Sequence, residues 1–242
     1  MRERQLPIPD LGLRTCLAAL LLFSACAGSG TVAPAPALDS LSDLSLIRFA
    51  PESSGTMAII LTGDGGWRRV DEKIGKRLRE RGVSLLGWNM PAYLGHRRTP
   101  HEVSDDLARI MRHYLERGVS RFLLIGYSRG ADTLPFMASR LPADLSSRVA
   151  VIALLAPSHT AALEYHFFAR LYGSRPPQYP VLPEIEALKG QRVLCIAGGR
   201  DRDAICRSLP ESVAKVTIVD GSHHFAGGYY AIADQILAEA SR

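Results

Sequence analysis

Short apolar runs alternate with amphipathic segments along most of the chain. The runs contain few polar residues, which is typical of strands buried on both faces of a parallel sheet. They predict strands at residues 44–49, 57–61, 83–88, 122–125, 149–155, 192–197 and 216–220.

The segments between these runs have helical periodicity. Val70, Ile74 and Leu78 recur every four residues among charged side chains, which predicts an amphipathic helix over 68–81. A second helix is predicted after Thr99, because Thr99 and Glu102 form a capping-box pair. A last helix is predicted over 229–240, and the aromatic-rich segment 157–188 is expected to be irregular.

This alternation predicts an α/β fold: a mostly parallel sheet with helices on both faces. The length of 242 residues and a hydrophobic content of 47% suit one such domain. Ligands of such sheets bind beyond the carboxyl ends of the strands, so the loops that follow the apolar runs are where functional residues are expected.

The first 25 residues have a different composition. Three arginines precede a short apolar run at 17–23, and small residues follow it, so we interpret 1–25 as a secretory signal. The run is too short to span a bilayer.

Residues 23–26 also resemble a bacterial lipobox, with Phe23 where leucine is commoner. We therefore expect a mature protein that begins at a lipidated Cys26 and faces the periplasm from a membrane surface. Residues 26–43 would be a flexible tether and 44–242 the domain. Simple cleavage near Ala25, or a buried Cys26, are the alternatives.

The net charge of the chain excludes few classes of function. The formal net charge is +5, and it falls to +4 without residues 1–25, which carry three basic and two acidic side chains. These charges are spread along the chain and would favour an anionic membrane surface only weakly. No nucleic-acid-binding motif is present.

A nucleophile motif follows the run at 122–125. Gly126-Tyr127-Ser128-Arg129-Gly130 matches G-x-S-x-G between a predicted strand and a predicted helix, the context of a nucleophile elbow. The sharp turn exposes the serine hydroxyl above the sheet, and close backbone packing requires both glycines. We predict Ser128 as the nucleophile. The alternative is a strand–helix turn whose serine only caps the helix.

A nucleophilic serine needs a histidine base and an acid that orients it, and in this fold they follow the serine in the order acid, then histidine. The loop 198–203 offers Asp201, with Asp203 second. The loop 220–225 offers His224, with His223 second. Either carboxylate could instead be a solvated loop residue paired with a neighbouring arginine.

Backbone amides are expected to stabilise the oxyanion. One donor would be the N–H of Arg129, and the other that of Asp64 or Gly65 in the glycine-rich loop 62–67. These glycines could instead only form a tight turn. No cofactor and no metal are expected.

Two cysteines remain for a disulfide once Cys26 is lipidated. Cys195 and Cys206 bracket the acidic loop, and an exported protein meets an oxidising compartment, so we predict that they pair. The alternative is a buried Cys195 and a free Cys206 thiol.

Together these motifs resemble the VirJ/AcvB group of bacterial exported virulence proteins, within the α/β-hydrolase superfamily. The matching positions lie between residues 44 and 240: Gly63-Asp64-Gly65-Gly66-Trp67, Arg98-Thr99-Pro100, Gly126-Tyr127-Ser128, Gly130-Ala131-Asp132, Pro135, Cys195, Cys206 and His223-His224-Phe225. The resemblance implies periplasmic hydrolysis of aminoacylated phosphatidylglycerol, chiefly the lysyl form. It also implies possible type IV secretion partners.

A labile aminoacyl ester suits a serine hydrolase. Asp64 and Asp132 are expected to flank the pocket, where they could receive a cationic head group or only make loop and helix hydrogen bonds. The aromatic segment 165–179 could touch lipid or form a packed lid. The rival functions are another periplasmic esterase or thioesterase, and a non-catalytic secretion protein. The presence of serine, acid and histidine favours a hydrolase.

Overall fold

The computed structural model describes residues 41–50, 55–165 and 177–242. The predicted signal at 1–25, Cys26, most of the tether and residues 166–176 of the aromatic segment lie outside the described residues. They therefore stay predictions.

One mixed sheet organises the described residues. Seven strands lie in it in the order β1-β3-β2-β4-β5-β8-β9, and β1 alone is antiparallel to its neighbour. A separate antiparallel pair is formed by β6 and β7. The strands are β1 Leu46–Arg48, β2 Thr56–Leu61, β3 Ser84–Trp88, β4 Arg121–Tyr127, β5 Val149–Leu155, β6 Thr160–Ala161, β7 Tyr179–Pro180, β8 Val193–Gly198 and β9 Lys215–Val219.

Helices cover both faces of this sheet. They are α1 Arg69–Glu80, α2 Met90–Tyr93, α3 Pro100–Leu115, α4 Arg129–Ala138, α5 Ala143–Ser146, α6 Leu182–Glu186 and α7 Tyr229–Ala240. One apolar cluster packs α3 and α4 against one face, and a second packs α1 and α7 against the other. The predicted α/β architecture, with a mostly parallel sheet covered on both sides, is confirmed.

Alternation along each strand supplies both clusters. In β2, Ile59 and Leu61 face the α3–α4 side, whereas Ala58 and Ile60 face the α1–α7 side, and all four are at most 1% exposed. A strand buried on both faces needs apolar residues at every position, which is why these runs are continuous.

The start of α3 follows the predicted capping box. The Glu102 N–H donates to Thr99 Oγ1 at 3.2 Å, and the Thr99 N–H donates to Glu102 Oε2 at 2.7 Å. Two N–H groups that the helix cannot use are thus satisfied by neighbouring side chains.

The short elements differ from the prediction. The segment 157–188, expected to be irregular, contains β6, β7 and α6, and the sequence also did not predict α2 or α5. These elements span two to five residues, too few to express a helical or strand period. Local bonds hold α2 instead: the Ala92 N–H donates to Asn89 Oδ1 at 3.3 Å, and the Met90 N–H to Thr62 Oγ1 at 3.1 Å.

Among the described residues, no helix combines the length and the apolar character that crossing a bilayer requires.

Cys195 and Cys206 form the predicted disulfide, with an S–S distance of 2.04 Å. Cys195 lies in β8 and Cys206 in a 3₁₀ turn, Ile205–Ser208, and both are fully buried. The bond therefore ties the far end of the loop 199–205 back to the sheet.

We expect the Cys195→Ala/Cys206→Ala variant to lose about 3 kcal/mol of unfolding free energy, because the bond closes a short loop and restricts the unfolded chain. Urea unfolding of the variant and of the oxidised wild type measures the difference, and reduced wild type is the control. Equal stability of oxidised and reduced wild type would contradict this expectation.

Candidate active site

Ser128 lies on a sharp turn between β4 and α4, at the carboxyl edge of the sheet. Its φ of 51° and ψ of −117° are unusual for a residue other than glycine. The Ser128 N–H donates to the carbonyl of Leu155 at 2.9 Å, and the Ser128 carbonyl accepts from the N–H of Asp132 at 2.9 Å. These two bonds hold the turn from β5 and from the first turn of α4.

The two glycines of the motif are sterically required. A Cβ on Gly126 would lie 2.4 Å from the Gly130 carbonyl oxygen, and one on Gly130 would lie 2.1 Å from the Leu61 carbonyl oxygen. Both contacts are closer than any side chain allows. The predicted nucleophile elbow is therefore present in the backbone itself.

A continuous chain of hydrogen bonds runs from Ser128 to Asp201. Ser128 Oγ lies 2.8 Å from His223 Nε2, and His223 Nδ1 lies 2.8 Å from Asp201 Oδ2. Asp201 is 7% exposed, whereas the second candidate acid, Asp203, is exposed to solvent. In this order a carboxylate fixes the tautomer of a histidine whose other nitrogen can take the serine proton.

The prediction of His224 as the base is wrong in this structure, because His223 occupies that position. The Nδ1 of His224 instead lies 2.6 Å from the hydroxyl oxygen of Tyr127. The two imidazole rings are 5.6 Å apart, and His224 lies beside the serine–histidine pair rather than within it.

The shape of the loop after β9 explains this order. Phe225 is 1% exposed and fixes the loop in the core, while Gly221, Phe225 and Ala226 have positive φ values. A Cβ on Gly198 would lie 2.1 Å from the Ser222 carbonyl oxygen, so the loop packs directly on the end of β8. The residue that reaches Asp201 from there is His223.

The glycine-rich loop after β2 packs against the serine. A Cβ on Gly63 would lie 3.3 Å from Ser128 Cβ, and the Gly66 N–H donates to the Gly63 carbonyl at 3.1 Å, which makes the segment a tight turn. Within the described residues, the N–H groups of Asp64, Gly65 and Arg129 donate no hydrogen bond. The predicted oxyanion donors, Arg129 and either Asp64 or Gly65, therefore lie on the two backbone segments that meet at Ser128.

A cavity of about 500 Å³ opens in front of these residues. Its lining comes from the loop after β2, the start of α1, the elbow and the histidine loop: Gly63, Asp64, Gly65, Gly66, Arg68, Arg69, Val70, Tyr127, Ser128, His223, His224 and Tyr229. A larger cavity of about 620 Å³ is lined by residues that start β4, β5 and β8, at the opposite edge of the sheet, and by none of the predicted site residues.

The two acidic residues expected to flank the pocket have other partners. Asp64 forms an ion pair with the Arg129 guanidinium, which also lies 4.8 Å from the ring centre of Tyr165. Asp132 accepts a hydrogen bond from the Ser158 N–H at 2.6 Å, does not line the cavity, and has its pKa raised to about 7 by burial. Asp132 therefore has the hydrogen-bonding role, whereas Asp64 lines the cavity while paired with Arg129.

Sequence reasoning missed several lining residues. Tyr127 is the variable position before the serine in G-x-S-x-G, and its hydroxyl contacts His224. Arg68 and Arg69 lie at the start of the amphipathic helix, among the charged side chains of the segment 68–81. Their place directly after a glycine-rich loop at a strand end was the available signal.

Comparison with known proteins agrees with this fold and these motifs. The family model described as bacterial virulence protein (VirJ) matches residues 55–242. The chain belongs to the VirJ family. A comparison with curated protein sequences finds no match.

Solved structures place this VirJ family chain in the α/β-hydrolase fold. Est1E from Butyrivibrio proteoclasticus is 14% identical with a TM-score of 0.56, over 77% of this chain and 89% of its own. MenH from S. aureus is 12% identical with a TM-score of 0.58, over 81% and 98%. A proline iminopeptidase of Mycobacterium smegmatis is 12% identical with a TM-score of 0.56, over 81% and 94%. At these identities the likeness shows the fold alone.

Asp71, in the first turn of α1, should make folding pH-dependent. It is 1% exposed, its Oδ1 has no hydrogen-bond partner within the described residues, and burial raises its pKa to about 7. A raised folded-state pKa adds stability that is complete below the unfolded-state pKa of about 4 and is lost as the pH rises through about 7.

We therefore expect Asp71→Asn to flatten the fall in unfolding free energy between about pH 4 and about pH 7, by on the order of 1 kcal/mol or more. The amide can still accept the Arg68 N–H bond that Asp71 Oδ2 accepts at 3.0 Å. Urea unfolding across this pH range measures the slope. An identical slope in variant and wild type would contradict the prediction.

Proposed function

We propose that this VirJ family chain is a serine hydrolase in which Ser128 is the nucleophile, His223 the general base and Asp201 the residue that orients it. The observation that supports this most directly is the unbroken hydrogen-bond chain, 2.8 Å at each step, that opens onto a cavity. A serine hydroxyl is a poor nucleophile until a positioned histidine accepts its proton.

The oxyanion hole of this site would be formed by backbone amides. Arg129 is the first residue of α4, so its N–H has no partner within the helix and lies at the positive end of the helix dipole. The turn that carries Asp64 and Gly65 packs against Ser128. Amides fixed in advance at this point would stabilise the negative charge of a tetrahedral intermediate.

The proposed substrate is the aminoacyl ester of aminoacylated phosphatidylglycerol, chiefly its lysyl form. Ser128 Oγ would attack the ester carbonyl while His223 takes the serine proton. Collapse of the intermediate would break the bond to the glycerol oxygen, which receives that proton from His223. Water activated by His223 would then release lysine and regenerate the serine. The resemblance of the sequence motifs to the VirJ/AcvB group supports this substrate.

The proposed location is the periplasmic membrane surface, with the domain held there by lipid on Cys26. Support comes from the sequence of residues 1–26, where a signal-like segment ends at a lipobox-like cysteine. Such an anchor would keep the enzyme beside a phospholipid substrate. Type IV secretion components stay possible partners on the family resemblance.

The two histidines give a sharp test of the catalytic assignment. We expect Ser128→Ala and His223→Ala each to lower kcat on a nitrophenyl ester by about 10³-fold or more, because the first removes the nucleophile and the second removes the base that accepts its proton. His224→Ala is the matched control, one residue away in the same loop, and should lose about ten-fold at most. Purified variants, shown to be folded by circular dichroism, are compared. Equal losses at both histidines would contradict the assignment of His223.

The substrate is tested with purified wild-type protein and lysyl-phosphatidylglycerol in detergent. We expect stoichiometric release of lysine and phosphatidylglycerol, and none with Ser128→Ala. Cleavage of nitrophenyl esters without release of lysine would favour another esterase or thioesterase. Failure on both substrates across several detergents and pH values would favour a non-catalytic role.

A further inference from the structure

Two arginines line the same cavity as Ser128. Arg68 and Arg69 lie at the start of α1 and share the cavity with Ser128 and His223. Asp64 is the one carboxylate among the described lining residues, and it is already paired with Arg129. The charge that remains uncompensated in this cavity is therefore positive.

The guanidinium of Arg68 is held in place by the backbone. Its Nε donates to the Gly65 carbonyl at 2.7 Å, and its side chain lies over that glycine, 3.1 Å from where a Cβ would stand. This bond uses the Nε–H and leaves the terminal nitrogens of Arg68 for a ligand. Within the described residues Arg69 makes no ion pair or side-chain hydrogen bond.

Nearby acidic residues do not cancel these charges. Asp71 is buried beneath the turn, and its raised pKa reduces its negative charge near neutral pH. Glu72 lines a different cavity, with Phe49 and Trp67. The positive end of the α1 dipole adds to the attraction for an anion.

We propose that Arg68 and Arg69 form an anion subsite that binds the phosphodiester of a phospholipid ester while Ser128 attacks its aminoacyl carbonyl. This inference rests on the proposed function and specifies which part of the substrate is recognised. In aminoacylated phosphatidylglycerol a three-carbon glycerol separates the ester oxygen from the phosphate, so both groups belong to one small head group. The fork of a guanidinium matches phosphate oxygens in geometry and charge.

The proposed subsite is positively charged, whereas the sequence suggested a negatively charged pocket. A lysyl ester suggests acidic residues around the cationic acyl group, but Asp64 and Asp132 both have other partners. Recognition through the phosphate needs no free carboxylate in the cavity. It also places the selective contact on the leaving group, so that esters of the same amino acid without a phosphate are poorer substrates.

The first experiment compares two substrates with the same acyl group: lysyl-phosphatidylglycerol, and lysine nitrophenyl ester, which lacks phosphate. In Arg68→Gln/Arg69→Gln we expect the ratio of kcat/KM for the lipid to kcat/KM for the nitrophenyl ester to fall about ten-fold or more, mainly through KM. Because it is a ratio, general damage to the turn at Gly65 cancels.

The control is Lys73→Gln/Lys189→Gln, which removes the same number of charges. Lys73 lies on α1 outside the cavity, and Lys189 is exposed far along the chain. In this control variant, the ratio of kcat/KM for the lipid to kcat/KM for the nitrophenyl ester should stay within about two-fold of the wild-type ratio. A ratio unchanged in the double arginine variant would overturn the subsite, as would an equal fall in the control.

The second experiment separates this inference from the proposed function. Binding of glycerol 3-phosphate and of inorganic phosphate is measured by calorimetry, which needs no turnover. We expect wild type and the control to bind glycerol 3-phosphate, and the double arginine variant to bind it about ten-fold or more weakly. Equal binding by all three proteins, or by none, would overturn the subsite even if lysine is released. Binding of glycerol 3-phosphate that requires the two arginines, in a protein that does not hydrolyse lysyl-phosphatidylglycerol, would support the subsite and contradict the proposed hydrolase activity.

Discussion

The close packing of backbone on backbone at the nucleophile turn is the constraint on which the site depends. Gly130 lies against the Leu61 carbonyl, and Gly126 lies against the carbonyl of Gly130, so β2, β4 and α4 meet with no side chain between them. Ser128 can then hold a φ of 51°, a conformation that costs about 1–3 kcal/mol for such residues, because its neighbours leave it no alternative. The exposed hydroxyl is a consequence of this packing.

The same kind of contact positions the other half of the site. Gly198 meets the Ser222 carbonyl at the end of β8, which fixes the distance between the acid loop and the histidine loop. The disulfide from Cys195 to Cys206 ties down the far end of the acid loop. Asp201 and His223 are thus brought together by one close backbone contact and one covalent bond, and their hydrogen bond needs little further ordering.

Much of the fold could be predicted because the apolar runs and amphipathic segments that define it extend over many residues. Continuous apolar runs identified the strands of the sheet, and β5 and α7 have the predicted bounds. The loops of the candidate site could also be predicted, since parallel strands bring their carboxyl ends to one edge. The elements that were not predicted, such as α2 and the β6–β7 pair, depend on tertiary contacts and are too short to show hydrophobic periodicity.

The choice between His223 and His224 could not be made from the sequence for a related reason. Adjacent residues in an irregular loop point in different directions, and which one faces Ser128 is set by the positive φ values at Gly221 and Phe225. Nothing in the residue types distinguishes the two histidines. For the acid, the sequence ranked Asp201 ahead of Asp203, and the structure agrees, since Asp201 is buried where the loop folds onto β8 and Asp203 is exposed.

Charge at the cavity bears on substrate choice more than the serine geometry does. A serine, a histidine and two amides can act on many esters, so selectivity has to come from the walls around them. Here one turn carries both kinds of group: Asp64 and Gly65 lie in the turn that packs against Ser128, and the Arg68 Nε–H donates to the carbonyl of Gly65 in that turn. An anion held by that guanidinium would lie against the same turn that carries one of the predicted oxyanion donors. Binding energy from a phosphate outside the reacting bond could then help to order the groups that stabilise the transition state.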